Sequence, residues 1–193
     1  MNRLTASFVL GYHGCDESIA EELLSGTPFE PSQNPYDWLG GGIYFWEANP
    51  KRGLDFITKM QTLGIKAVAN PTVIGAVIDL GHCLDLMTAT GIGMVEASYE
   101  SLRAITSAAK GTMPANQNKV LRQLDCAVIE HLHSIIAADD DYDDFDTVRA
   151  VFTEGRPIYP GAGFDAETHI HIAVRNPECI KGVFRVPQSH LEV

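Results

Sequence analysis

An α+β fold is the class this sequence predicts, and three observations carry the prediction. Short apolar runs suited to strands gather toward both ends of the chain. The long stretch between them, from about residue 85 to 136, is helical in pattern. Turn residues separate the elements, and no linker, repeat or low-complexity tract divides the chain, so one domain over residues 1–193 is expected.

Each element follows from local chemistry. SFVLGYHG, residues 7–14, reads as a short strand ending at a glycine. DESIAEELLSG follows as a helix, with Asp16 suited to its N-cap, acids in the first turns and Gly26 at its end. TPFEPSQNPYDW holds three prolines and an Asn-Pro step, the composition of an extended loop. GIYFWE is a strand, and ANPKRGLDFITKMQTLG is a helix with Phe56, Ile57 and Met60 on one face. PTVIGAVIDLG is β-branched and apolar, hence a buried strand. The helical insertion of about 85–136 breaks at GTMPANQ. TVRAVFTEG, the turn RPIYPGAGF, and the strands THIHIAV and KGVFRV complete the chain.

Composition excludes several functions. No run approaches the roughly 18 apolar residues of a membrane span, and the N-terminal apolar patch is too short for a secretory signal, so the expected location is the cytoplasm. Cys15, Cys83, Cys126 and Cys179 are scattered, without metal-ligand spacing, and read as small buried hydrophobes rather than a disulfide framework or metal site. A net charge of −11 argues against non-specific binding to nucleic acid, although Lys51, Arg52 and Lys59 together would make a local basic groove. The acidic run DDDYDDFD, 139–146, lacks the Gly and the terminal acid of a calcium loop and reads as a solvated loop.

Two fragments belong together: YHG at 12–14 and GGGIYF at 40–45, about thirty residues apart across a helix and a loop. In order, spacing and element type the pair resembles the ADP-ribosyltransferase superfamily, in the branch shared by diphtheria toxin and the poly(ADP-ribose) polymerases. The resemblance covers residues 10–56 and extends less closely over 147–186. It implies a split β-sandwich of two small sheets around an NAD cleft, with NAD as substrate. It further implies that His13 bonds a ribose hydroxyl, that the Gly14 backbone holds the nicotinamide amide, and that Tyr44 stacks on the nicotinamide ring. Phe56, twelve residues after Tyr44, takes the place of a second ring. Gly41 and Gly42 allow close approach of a ligand or a neighbouring strand.

The family places a Glu on a later strand, where it stabilises the oxocarbenium-like ribose and activates the attacking group. In THIHIAV, Thr168, Ile170, Ile172 and Val174 form one apolar set, so Glu167, His169 and His171 point the other way. Aligned on the turn RNPECI the family position falls on His171; aligned on residue type it falls on Glu167. The turn alignment is preferred, because a four-residue shift moves a strand roughly 13 Å. A neutral imidazole there accepts a hydrogen bond, whereas a charged one opposes the developing cation. His131 and His133 are two apart in a helix and do not face each other. Arg149 reads as an ion-pair partner before it reads as a pyrophosphate ligand.

The resulting expectation is a mono-ADP-ribosyltransferase that moves ADP-ribose from NAD to a macromolecule, protein or nucleic acid. The resemblance also implies a toxin or phage-defence role with an antitoxin partner. The alternatives are an NAD glycohydrolase, with water as acceptor, and a catalytically silent module that binds NAD or ADP-ribose.

Overall fold

A computed structural model describes residues 8–65, 67–117 and 121–192; Ser7, expected at the start of the first strand, and the rest of the N-terminal segment lie outside them. The described residues form β1 (Phe8–Asp16), α1 (Glu17–Leu24), β2 (Ile43–Glu47), α2 (Pro50–Thr62), β3 (Pro71–Asp79), β4 (Cys83–Asp85), α3 (Ala89–Ala108), α4 (Gln123–Ile136), β5 (Thr147–Phe152), β6 (His169–Val174) and β7 (Ile180–Arg185). Local chemistry sets the helix starts. Asp16 accepts the Ser18 N–H at 3.0 Å, Asn49 accepts the Arg52 N–H at 3.1 Å ahead of Pro50, and Thr88 accepts the Gly91 N–H at 3.1 Å.

The strands make one mixed sheet, in the order β4-β5-β6-β2-β1-β3-β7. Two separate small sheets were expected, and this is a correction with a visible cause. β1 pairs β3 along its whole length, Phe8 to Asp16. Against β2 it makes two register pairs, Gly11↔Glu47 and Tyr12↔Trp46. The two halves, β4-β5-β6-β2 and β1-β3-β7, are therefore continuous but joined at a short seam. All named pairings are antiparallel except β4 with β5. Three-residue β4 has no legible sequence signal, because its partner β5 lies some sixty residues away.

Alternation along the strands assigns the faces. On the back face, Phe45, Ile43, Ile78, Ile172 and Val174 pack with Leu80 and Cys179, and α1 buries Ala20 and Leu23 against Cys15 and Ile74. On the front face, α4 lays Ile129, Leu132 and Ile136 on Val148, Ala150 and Ala173. Helix α2 covers the front of the seam, where Gly53 and Ile57 meet Gly14. Helix α3 packs outside α4, with Ser98 donating to the Val128 carbonyl at 2.8 Å.

The acidic segment departs from its expected solvated state at its end. Phe145 is buried beneath α4, and Asp146 is built into the fold. Its carboxylate accepts the His82 N–H at 2.7 Å and the Asn176 amide at 2.7 Å, and its carbonyl accepts the Arg175 N–H. His133 lies beside Phe145, ring centres 6.0 Å apart, and burial pulls its pKa from 6.5 down to about 4, assisted by Arg175 and opposed by Glu130 and Asp144.

His133 thus stays neutral in the folded protein while the unfolded chain takes up a proton below about pH 6.5. Its stabilising contribution is complete above that pH and is lost as pH falls toward 4, on the order of 3 kcal/mol. Denaturant unfolding at a series of pH values should show a flatter slope across this window in His133→Leu than in wild type. An unchanged slope would exclude His133 as the source.

Candidate functional site

The front face around β2 and β6 is lined by rings. Antiparallel register sets Trp46 opposite His171 and Tyr44 opposite Ala173. Trp46 and His171 have ring centres 4.7 Å apart, His169 and His171 4.5 Å, and Tyr44 and His171 5.8 Å. Phe56 comes down from α2 onto Trp46 at 5.0 Å, and Phe152 of β5 stands 5.6 Å from His171. Trp38 closes the far side against Phe152 at 4.4 Å. The period-2 pattern of β6 thus holds: His169 and His171 turn to the front, while Ile172 and Val174 turn back.

The residues expected to share a cleft are placed differently. The His13 ring lies on the back side, 5.6 Å from Phe29 and 5.7 Å from Phe45, while the Tyr44 side chain packs on the front core with α4. What joins them is His13 Nδ1 to the Tyr44 carbonyl oxygen at 2.9 Å, not a common hollow. A carbonyl only accepts, so Nδ1 carries the proton and Nε2 is the acceptor nitrogen of the neutral ring. The Tyr44 hydroxyl donates to Gly40 O at 2.8 Å and accepts the Leu39 N–H at 3.0 Å; burial pushes the phenol pKa up. Tyr44 therefore closes the Leu39–Gly40 turn, in which Gly40 has φ +75°.

Gly14 is covered by helix backbone: a Cβ there would sit 2.4 Å from Gly53 O. Gly42 makes its close approach to β6, a Cβ falling 3.0 Å from Val174 O, and the Gly41 N–H donates to Glu130 at 2.7 Å. The glycines ahead of Tyr44 therefore serve chain packing as it stands. Phe56 packs against Trp46 at a tilt of 46°. The trio from β6 and its approach does come together. His169 Nδ1 donates to Glu167 O at 2.7 Å, and the Glu167 carboxylate meets Arg52 at 3.1 Å.

Arg52, Glu154 and Trp46 complete this cluster; sequence reading gave Glu154 and Trp46 no site role and Arg52 only a place in a basic groove. Arg52 on α2 bonds Glu154 at 2.7 Å as well as Glu167, clamping the helix to the ends of β5 and β6. The helical phase of α2 places Arg52 one turn before Phe56 on the same face, a signal that could have found it; the partner carboxylates were set by tertiary structure. The clamp takes Arg52 out of the expected basic groove, and Lys51 sits 3.4 Å from Asp55. Burial holds His171 well below the usual histidine pKa, with His169 and Arg52 adding to the effect, and burial lowers His169 in the same direction. Trp46 Nε1, Arg52 Nε and His171 Nε2 are buried without a hydrogen-bond partner.

Other candidates fall elsewhere. Arg149 points to the back face and holds Glu47 through two bonds of 2.6 and 2.8 Å and Asp85 through one of 3.1 Å. His131 contacts Ser101, apart from His133. The four cysteines form no disulfide, and burial pushes Cys83 and Cys126 up to about 11. Among the described residues no cluster of three or more His, Cys, Asp or Glu is arranged to hold a metal, and no helix is long and apolar enough to cross a membrane. Two open hollows, of about 410 and 490 Å³, meet at the Arg175–Glu130 pair, away from the ring cluster.

Comparison with known proteins adds little. No protein-family model matches the chain, and no solved structure matches it. The uncharacterized protein MJ0359 of Methanocaldococcus jannaschii is 47% identical over 36 residues, which is 19% of this chain and 17% of that protein's length.

Removal of the guanidinium tests the electrostatics of the cluster. Arg52 opposes protonation of both imidazoles, so Arg52→Gln should raise the pKa of His169 and His171, read from their ring C–H signals in an NMR pH titration. Unchanged titration would show that burial alone sets them.

Proposed function

We propose that this chain is an NAD-dependent mono-ADP-ribosyltransferase whose site lies across β1, β2 and β6 under helix α2. The observation that carries the reading is the order β6-β2-β1 within the sheet. The His-Gly strand, the Gly-Ile-Tyr-Phe strand and the strand following Glu167 are immediate neighbours, and His13 is bonded across the seam to Tyr44. Three elements that are remote in sequence are thereby adjacent strands of one sheet, which supports the reading.

NAD supplies a glycosyl bond whose cleavage leaves its electron pair on nicotinamide and positive charge on the ribose. The chain's part is to bind, orient and accept a proton. His13 lies behind the sheet and holds the Tyr44 carbonyl across the seam, so its part is to position β1 against β2. Neutral His169 and His171 add no charge against the developing cation. Glu167, with its side chain 45% exposed, is the accessible proton acceptor of the trio, and Glu154 beside Arg52 adds negative potential. As a fit test, the unpartnered nitrogens of Arg52 and His171 suit a planar amide, whereas the Gly14 backbone is covered by Gly53 and does not reach one. The position is filled by the Trp46 indole, so NAD binding requires that ring to move.

A second reading has its own observation. The opposite facing of the His13 and Tyr44 side chains favours a silent module that binds NAD or ADP-ribose without cleaving it. Incubation with adenine-labelled NAD and cell extract, followed by separate protease and nuclease treatment, separates the outcomes. Transfer predicts label on a macromolecule and free nicotinamide. Free ADP-ribose alone identifies a glycohydrolase, and bound ligand with no nicotinamide identifies the module. Glu167→Gln should reduce transfer by roughly 10²–10⁴-fold, and His13→Ala, by loosening the β1–β2 seam, should also reduce it. Tyr44→Phe should retain transfer while losing about 1 kcal/mol of stability with its hydroxyl bonds. Undiminished transfer in His13→Ala would overturn the assignment.

A further inference from the structure

Trp46 occupies an unusual position for a core tryptophan. Its ring is 5% exposed, yet Nε1 has no partner, although a buried indole N–H ordinarily finds one. The walls around it are flat. Gly53 presents bare backbone, a Cβ there lying 3.3 Å from Trp46 Cε3 and 3.2 Å from Val73. Phe56 and His171 flank the indole at 5.0 and 4.7 Å. Two further buried nitrogens without partners, Arg52 Nε and His171 Nε2, belong to the same cluster. Of the four buried side-chain nitrogens without a partner among the described residues, three fall in this cluster and the fourth, His133 Nε2, belongs to α4; three in one cluster mark a closed state whose polar groups lack their partner.

We propose that the Trp46 indole is a displaceable plug, standing in a slot that a planar heteroaromatic amide enters when the ring swings out. The inference rests on the NAD reading and specifies which group of that ligand meets the front face. An amide suits the slot for two reasons. Its planar ring replaces the indole between the Gly53 backbone and the His171 ring. Its carbonyl oxygen accepts from Arg52 Nε–H, while its N–H₂ donates to His171 Nε2 in the tautomer that leaves this nitrogen bare. Indole provides neither an acceptor for Arg52 nor a partner for its own N–H. The slot therefore discriminates for a ring that carries both hydrogen-bonding roles. Arg52 also ties the plug to the carboxylates: a helix α2 that shifts to admit a ligand moves the anchor of Glu154 and Glu167.

The chain has two tryptophans, so Trp38→Phe leaves Trp46 as the sole indole reporter. Nicotinamide and NAD are titrated into this variant, with emission wavelength and acrylamide quenching recorded, beside equilibrium dialysis of the labelled compounds. Displacement predicts a red shift and stronger quenching of Trp46 at the concentrations where dialysis detects binding. Trp46→Leu, its fold checked by thermal melting, should bind nicotinamide about tenfold more tightly, because the closed competitor is gone. Binding with unchanged Trp46 emission and quenching overturns the plug and leaves the NAD reading standing. Binding by Trp46→Leu with none detectable in the parent supports the plug. Absence of binding in wild type and both variants overturns the plug and the NAD reading together.

Discussion

The seam between β1 and β2 is the constraint on which the rest of the molecule depends. Two register pairs and the Ala48 N–H to Leu10 O bond of 2.8 Å hold the halves of the sheet together, and no register pair follows Tyr12–Trp46 among the described residues. The His13 ring bridges β1 and β2 beyond that pair by donating to the Tyr44 carbonyl, which would otherwise lose its ladder partner. Helix α2 then crosses the front of the seam with Gly53 O against Gly14, an approach that a Cβ at Gly14 would block. The ring cluster, the arginine clamp and the placement of the two glutamates all follow from where α2 lies.

Charge on the front face is arranged by burial more than by pairing. His169 and His171 sit side by side as neutral rings because an apolar setting opposes their protonation and Arg52 reinforces it. Arg52 in turn is held by two carboxylates on separate chain segments, Glu154 after β5 and Glu167 before β6. A cation shared between two anions at a partly exposed edge fixes geometry better than it adds stability. It joins the helix that covers the seam to the strands that border it. On the opposite face Arg149 plays a comparable part between Glu47 and Asp85.

Much of the architecture was legible because its causes are local. Asp16, Asn49 and Thr88 cap helices through bonds spanning two or three residues, and the alternation in THIHIAV sends its histidines to one face whatever the sheet topology. The site was legible only as a set of strands. The His-Gly and Gly-Ile-Tyr-Phe fragments become neighbours, but the face on which each side chain emerges depends on the pairing register. Tyr12 opposite Trp46 puts His13 behind the sheet and Tyr44 in front of it. Trp46 gave the sequence reading no signal beyond packing, because its significance lies in atoms that find no partner.

By itself the sequence determined the helices, the principal strands, and the phase of the aromatic and histidine residues along β2 and β6. Those depend on capping bonds, β-propensity and a side-chain period of two, all of which act within a few residues. Tertiary structure alone decided that one sheet replaces two, that α2 closes over Gly14, that Arg52 meets Glu154 and Glu167, and that an indole fills the slot. These contacts join residues from thirty to more than a hundred positions apart. No local rule reaches that far, since their energies exist only after the chain has paid the entropy of bringing them together.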